Sequence, residues 1–351
     1  MIDLKDLLKD AVIKRASDIH ITVGRPPMIR VDKMLEATTF PILTTQDTKE
    51  MIYSILSDTQ KQRFERDREL DLSLPVPNVS RFRVNVHYQR GSVEAAFRVI
   101  PFKIKSFEEL RLPIVLAEFA RKQNGLVLVT GPTGVGKTTT LAAMVDLINR
   151  ERHGVIICIE DPVEFLHEHN KCLVKQREVG FDTLSFAAAL KHALRQDPDI
   201  ILVGEMRDME TIATALTAAE TGHLVLSTLH TPNAPQTLDR LIDVFPPEQQ
   251  EQIKIQLSGC LQGVVSQTLL PRSDAKGLVP AFEIMTGTSA IRSCIRAHKT
   301  DQILTVMQTS ADEGMVTMGK AIKELYEDGI IDLKTAIGNI PDKRDLEELS
   351  K

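Results

Sequence analysis

The 351-residue chain has no tryptophan, and aromatic residues make up only 4% of it, which weighs against a surface that grips bases or sugars by ring stacking. Cysteine is scarce too: Cys158, Cys172, Cys260 and Cys294 stand without a paired C-x-x-C spacing. That argues against a structural zinc site or a secreted disulfide framework, and leaves free thiols as core filler. Basic residues are not in excess, with Lys plus Arg at 43 against Asp plus Glu at 48, so no direct nucleic-acid partner is expected. No apolar run approaches the roughly 20 residues that cross a bilayer, and the opening Met-Ile-Asp-Leu-Lys lacks a basic region followed by an apolar stretch. A cytoplasmic protein is the expectation. What is present is 42% apolar and 26% charged residues, enough for real cores, over a length that suggests about two domains.

In the first third, Leu4, Leu7, Leu8, Ala11 and Val12 recur at helical spacing, and strands are expected at 19–23, 28–31 and 70–74, with helices at 48–56 and 59–70. From Arg81 to Tyr88 the alternation puts Phe82, Val84, Val86 and Tyr88 on one face and Arg81, Arg83, Asn85 and His87 on the other. Gln89-Arg90-Gly91-Ser92 then turns into a strand over 93–100, which Pro101 breaks, and Phe102 opens a connector. The reading is an antiparallel α+β module, with the domain boundary near residue 112. Residues 113–351 form the second domain.

There, the apolar run 126–130 meets Gly131-Pro132-Thr133-Gly134-Val135-Gly136-Lys137-Thr138, and a helix is expected from Thr139 to about Arg150. Strand, glycine loop and helix in that order make a phosphate site. Backbone amides over Gly131–Thr139 wrap phosphates, Lys137 brings a positive charge to the β- and γ-phosphates, and Thr138 offers its hydroxyl to Mg²⁺. The nucleotide expected is ATP with Mg²⁺.

Hydrolysis also needs carboxylates, and two apolar runs deliver them. Residues 155–159 end in Glu160-Asp161-Pro162-Val163-Glu164, and 200–203 end in Gly204-Glu205-Met206-Arg207-Asp208. Parallel α/β sheets bind ligands beyond the carboxyl ends of their strands. Glu164 is the first choice for activating water and Glu205 for the metal side, although the sequence also supports the exchange. A further buried run, 224–229, is flanked by His223 and His230. His230 and Thr228 lie where a γ-phosphate sensor belongs, and His223 is expected to couple sensor and acid. Two histidines without a third ligand make a poor zinc site. Beyond residue 232, helices are expected at 248–262, 290–298, 302–308, 317–326 and 333–337, with a charged end over 341–351.

These four strings, in this order, resemble the PilT family of type IV pilus retraction ATPases, within the secretion-type ATPase superfamily. Gly131–Thr138 matches its Walker A motif, Cys158–Phe165 an acidic box, Ile201–Asp208 a Walker B motif in which Gly204 and Glu205 replace an aspartate pair, and His223–His230 a histidine box. The resemblance covers nearly the whole chain. It implies a PAS-like amino-terminal domain on a RecA-like P-loop core with a helical carboxy-terminal region. It also implies a homo-hexamer that binds an inner-membrane platform protein from the cytoplasmic side without inserting, and that uses ATP to retract pili and produce twitching motility. Arg83 and Arg98 match amino-domain arginines that reach the nucleotide, and Arg195 and Arg207 match arginines used across or beside the subunit interface. Ala290–Ala297 keeps five of the eight positions of a retraction-associated helix, departing at Ser293, Cys294 and Ala297. In it Ile291 and Ile295 are spaced for packing, and Arg292 and Arg296 share a helical side. Alternatives are a pilus-assembly or type II secretion ATPase, which shares the four boxes, and a DNA-translocating ATPase.

Overall fold

A computed structural model describes residues 3–31, 34–77, 79–100, 104–274 and 277–341. Pro101 and Phe102, expected to break a strand and open the connector, lie outside the described residues, as does the charged end from residue 342. The chain divides into two compact units, Met1–Lys103 and Ile104–Lys351.

The first unit is an antiparallel sheet of β1 (Asp18–Ile21), β2 (Met28–Val31), β3 (Met34–Ala37), β4 (Glu69–Val76), β5 (Ser80–Gln89) and β6 (Ser92–Ile100), in the order β3-β2-β1-β6-β5-β4. Alternation along β5 is as the sequence requires, with Phe82, Val84 and Val86 buried and Arg83 exposed. Helices Leu4–Ile13, Thr45–Tyr53 and Asp58–Asp67 add Leu7, Leu8, Ile52 and Phe64 to this core. The latter two helices begin with capping boxes, at Thr44 with Asp47 and at Ser57 with Gln60, each satisfying otherwise orphaned amides.

The second unit is built on β7 (Gly125–Thr130), β8 (Gly154–Glu160), β9 (Cys172–Glu178), β10 (Ile200–Val203), β11 (Leu224–Leu229), β12 (Leu261–Pro271) and β13 (Leu278–Thr286). Their order is β13-β12-β7-β11-β10-β8-β9, parallel throughout except for β13 against β12. Successive residues of the central strands feed opposite cores: Leu126 and Leu128 pack in one, Val127 and Val129 in the other. A sheet buried on both faces needs continuous apolar strands, so β7, β8, β10 and β11 are the ones visible in sequence. All parallel strands present their carboxyl ends at one edge, and the candidate site lies there.

Candidate active site

The loop after β7 runs hard against β12. A Cβ on Gly131, whose φ is 136°, would meet the Gln267 carbonyl oxygen at 2.3 Å, so only glycine fits. Pro132, Thr133 and Gly134 are exposed, and the helix Lys137–Glu151 starts at once. Gly136 occupies its N-cap and supplies no side-chain cap, whereas Ser, Thr, Asp or Asn caps the helices that begin at 186, 209, 234, 289, 318 and 333. The first-turn amides of 137–151 therefore lack a side-chain acceptor, and an anion suits them. Val135, Thr138 and Thr139 complete this first turn and its approach.

Lys137 is buried, and its ammonium donates to the carbonyls of Gly131 at 2.8 Å and Pro132 at 2.9 Å. Its third neighbour is His230 Nδ1 at 3.3 Å. On the far side of that ring, His230 Nε2 lies 3.1 Å from Glu205 Oε1, which also accepts from Arg207 Nε at 2.6 Å. With an ammonium donating to Nδ1, the ring proton sits on Nε2 and faces the carboxylate. The ends of β7, β10 and β11 thus join Lys137, His230, Glu205 and Arg207 in one hydrogen-bonded chain. Burial pushes the Lys137 pKa down, against the carboxylates of Glu205 and Glu164, which favour its charge. Burial alone would raise Glu205, but Arg207 and His230 bring it below the usual range.

Glu164 is exposed on the loop after β8. That loop hangs from polar groups of β8 and β9, with Glu160 and Glu178 buried and Gln176 half-buried. Glu178 Oε2 accepts from Val163 N at 3.2 Å; Gln176 Nε2 donates to the Phe165 carbonyl at 2.7 Å and to Glu160 Oε1 at 3.0 Å; Gln176 Oε1 accepts from His167 N at 3.0 Å. Burial pushes the Glu160 carboxyl up to about 7, opposed by the Gln176 amide and the Glu164 N–H and reinforced by the Glu164 and Glu178 charges.

Other sequence candidates lie elsewhere. His223 precedes β11 and its Nδ1 meets the Ala218 carbonyl at 2.9 Å. The six residues of β11 separate it from His230, about 20 Å of strand. The expectation that His223 couples sensor and acid is therefore corrected: the two histidines stand at opposite ends of one strand. Thr228 is spent on β10, its hydroxyl donating to the Gly204 carbonyl at 2.5 Å. Arg195 is exposed, four residues before Asp199, whose carboxylate caps the opposite, amino-terminal end of β8 through Val155 N. In the first unit, Arg83 and Arg98 are direct cross-strand neighbours, and Arg98 Nε meets Asp18 Oδ1 at 3.0 Å.

Against this geometry, the model of type II/IV secretion system proteins matches residues 1–331. The chain belongs to that family. Within it, the chain is 49% identical over 334 residues to the type IV pilus retraction ATPase PilT of Pseudomonas aeruginosa, covering 95% of this chain and 97% of that one. It is 38% identical to the type IV pilus ATPase PilU of the same organism, covering 99% and 91%. A crystal structure of the pilus retraction motor PilT with bound ADP superposes with a TM-score of 0.93 at 47% identity, covering 99% and 100% of the two chains. The mixed α/β fold, with its central sheet resembling RecA-like secretion ATPases and a further amino-terminal unit, is thus that of the family.

The family's nucleotide and Mg²⁺ fit the residues present: an uncapped helix start for phosphate, Lys137 beside it, and a hydroxyl and carboxylate in Thr138 and Glu205. Among the described residues no cluster of three His, Cys, Asp or Glu could hold a metal ion. No described helix is long and apolar enough to cross a membrane. Sequence reasoning missed the supports of this site. Gln176 and Glu178 read as ordinary polar residues of an edge strand, and Glu160 reads as one of the acids after the run 155–159, with no supporting role. A cavity of about 580 Å³ beside Gly136 and Thr140, walled by Leu112, Leu269, Phe282, Arg111 and Arg272, draws on three separate stretches with no local signature.

Proposed function

We propose that this chain is an ATP-hydrolysing motor that drives retraction of type IV pili and, through it, twitching motility. The observation that carries the reading is the hydrogen-bonded run from Lys137 through His230 to Glu205 and Arg207, gathered at the loop edge of a chain that resembles a retraction motor along nearly its full length. Magnesium, when bound, neutralises charge on the β- and γ-phosphates. Thr138 and Glu205 hold it. Lys137, with three donors on a flexible stem, gives a hydrogen bond to phosphate oxygens, and His230 reports whether that bond is made. Glu164 takes the proton of the attacking water. The cavity beside Thr140, with apolar walls in Leu112, Leu269 and Phe282 and charged ones in Arg111 and Arg272, takes the nucleoside.

The finer reading continues from the resemblance. The amino-terminal unit is PAS-like, and its Arg83 and Arg98 bring positive charge to the nucleotide; Arg195 and Arg207 act across or beside a subunit boundary. Six copies form a ring on the cytoplasmic face of the inner membrane, against a platform protein and without insertion. Greater identity to the retraction ATPase PilT than to the pilus ATPase PilU supports the retraction reading, while the three changed positions of Ala290–Ala297 leave its rank among retraction motors open. The experiment is a clean gene deletion complemented with wild type or Lys137→Ala, with fluorescent pili followed live. The expected result is surplus pili and no twitching, restored only by wild type. Normal pilus shortening in the deletion strain, with no active paralogue, overturns the reading.

A further inference from the structure

Strand β12 pairs with β7 in parallel, and its Ser266 is level with Thr130, the last residue before the glycine loop. The next residue, Gln267, therefore stands beside the loop's first turn. Its neighbours Val265 and Phe282 pack with Leu141 and Met144 of the helix 137–151, and side chains two apart on a strand share a face. Gln267 thus projects toward the start of that helix. It is 5% exposed, and both ends of its amide are used. Nε2 donates to the carbonyl of Val135 at 2.5 Å, while Oε1 accepts from the Thr140 hydroxyl at 2.8 Å. The Val135 carbonyl can only accept, so it takes the amide NH2 and leaves the amide oxygen to the Thr140 hydroxyl.

The consequence falls on one peptide plane. In a trans peptide the C=O and the following N–H point in opposite directions. With the Val135 carbonyl captured by Gln267, the N–H of Gly136 is held facing away from the Gln267 amide, in a loop whose Pro132, Thr133 and Gly134 are exposed. Gly136 has φ 92°, a conformation from which the plane could otherwise turn, and a Cβ there would meet Gln267 Nε2 at 3.1 Å. We propose that Gln267 is a positioning residue of the nucleotide site: it fixes the Val135–Gly136 peptide so that the Gly136 N–H donates to a phosphate oxygen, and it thereby sets nucleotide affinity. The inference rests on the reading of this loop as a phosphate site.

The test is calorimetric titration of the full-length protein with Mg-ADP. Wild type comes first: no binding there refutes the phosphate-site reading itself, independently of Gln267. Gln267→Met keeps the length and volume but has no donor for Val135, and Kd should rise about tenfold or more, the worth of one hydrogen bond to a charged group. Gln267→Glu supplies a readout that packing alone does not move. A protonated carboxyl donates to the Val135 carbonyl and accepts from Thr140, as the amide does; an ionised one sets two acceptors against that carbonyl. The ratio of variant to wild-type Kd should therefore be large at pH 8 and shrink several-fold by pH 5.5, with wild type measured at each pH to correct for titration of the nucleotide. Thr140→Val, which removes the second hydrogen bond holding the amide, should weaken binding in the same direction by less. Wild-type affinity in folded Gln267→Met, or a Gln267→Glu ratio that does not change with pH, overturns the proposal. Should Gln267→Met fail to fold, the pH series on Gln267→Glu decides alone.

Discussion

Two acidic residues four apart at the end of β8 are asked to do opposite things. Glu164 is exposed where water reaches it, so Glu164→Gln should retain Mg-ADP binding and lose hydrolysis by about 10²-fold or more; phosphate release near the wild-type rate would remove it from that role. Glu160 is buried, with a pKa of about 7 against an ordinary 4.5. On the loop that follows β8, burial pushes His167 down to about 4 from 6.5. Between pH 4.5 and 6.5 the folded chain therefore holds more protons than the unfolded chain at Glu160 and fewer at His167. Their slopes oppose, each at most about 1.4 kcal/mol per pH unit, and nearly cancel. Removing either exposes the other. Glu160→Gln loses a contribution that declines as pH rises, so its stability relative to wild type should climb by about 3 kcal/mol between pH 4.5 and 7. His167→Gln loses a contribution that fades as pH falls from 6.5 to 4, so its relative stability should climb toward pH 4. Urea midpoints across this range check both, and curves parallel to wild type for either variant count against the burial argument.

At the scale of elements, the helix Ser289–Arg296 is less separable from the fold than its sequence suggests. Ile291 and Ile295 are fully buried, as their i,i+4 spacing implies. Arg292, expected to share a helical side with Arg296, donates to the carbonyls of Gly287, Ser258, Gly259 and Leu261, three of which lie at the end of the helix Pro247–Cys260 and just beyond it. A guanidinium there satisfies orphaned carbonyls and complements the helix dipole. Arg292→Ala should cost about 2 to 4 kcal/mol, from hydrogen bonds to a charged group, read as a lower urea midpoint; Arg296→Ala, exposed and 3.4 Å from the Ser258 hydroxyl, should change it little. A pilus defect from Arg292→Ala with an unchanged midpoint would instead assign it to a partner surface. The same contrast explains what was legible. β7, β8, β10 and β11 show as apolar runs because both their faces are buried, and their ends carried Lys137, Glu205 and His230 into view. β9 hides because it is the sheet's outer strand and carries Lys175, Gln176 and Arg177. β12 hides because Gln262, Ser266 and Gln267 interrupt it, and the helix expected to run to Gln262 stops at Cys260. Of the polar residues that broke the pattern, Gln176 and Gln267 are those that brace the site's loops.

At the scale of the whole molecule, the amino-terminal unit sets two exposed arginines side by side on its sheet. Across neighbouring strands, Arg30, Asp18, Arg98, Arg83 and Ser73 stand in register, with Arg83 and Arg98 both exposed. Like charges directly opposite on adjacent strands are destabilising; of the two arginines, Arg98 pairs with Asp18. A fold selected for stability alone would not place two arginines there, which supports the proposal that they serve the nucleotide in an assembled ring. The double substitution Arg83→Ala with Arg98→Ala should therefore leave the thermal midpoint unchanged or slightly raised, because it removes a repulsion and an exposed ion pair worth about 1 kcal/mol or less. ATP turnover should nevertheless fall about tenfold or more, as expected when charge that stabilises a phosphoryl transition state is lost. Native mass spectrometry at the concentration of the assay should show six copies for wild type and variant alike, so that the loss of turnover is not a loss of assembly. Turnover at the wild-type rate in a variant that still forms the ring would confine the two arginines to the surface chemistry of their own sheet, and an active wild-type enzyme that is strictly monomeric would remove the ring from the mechanism altogether.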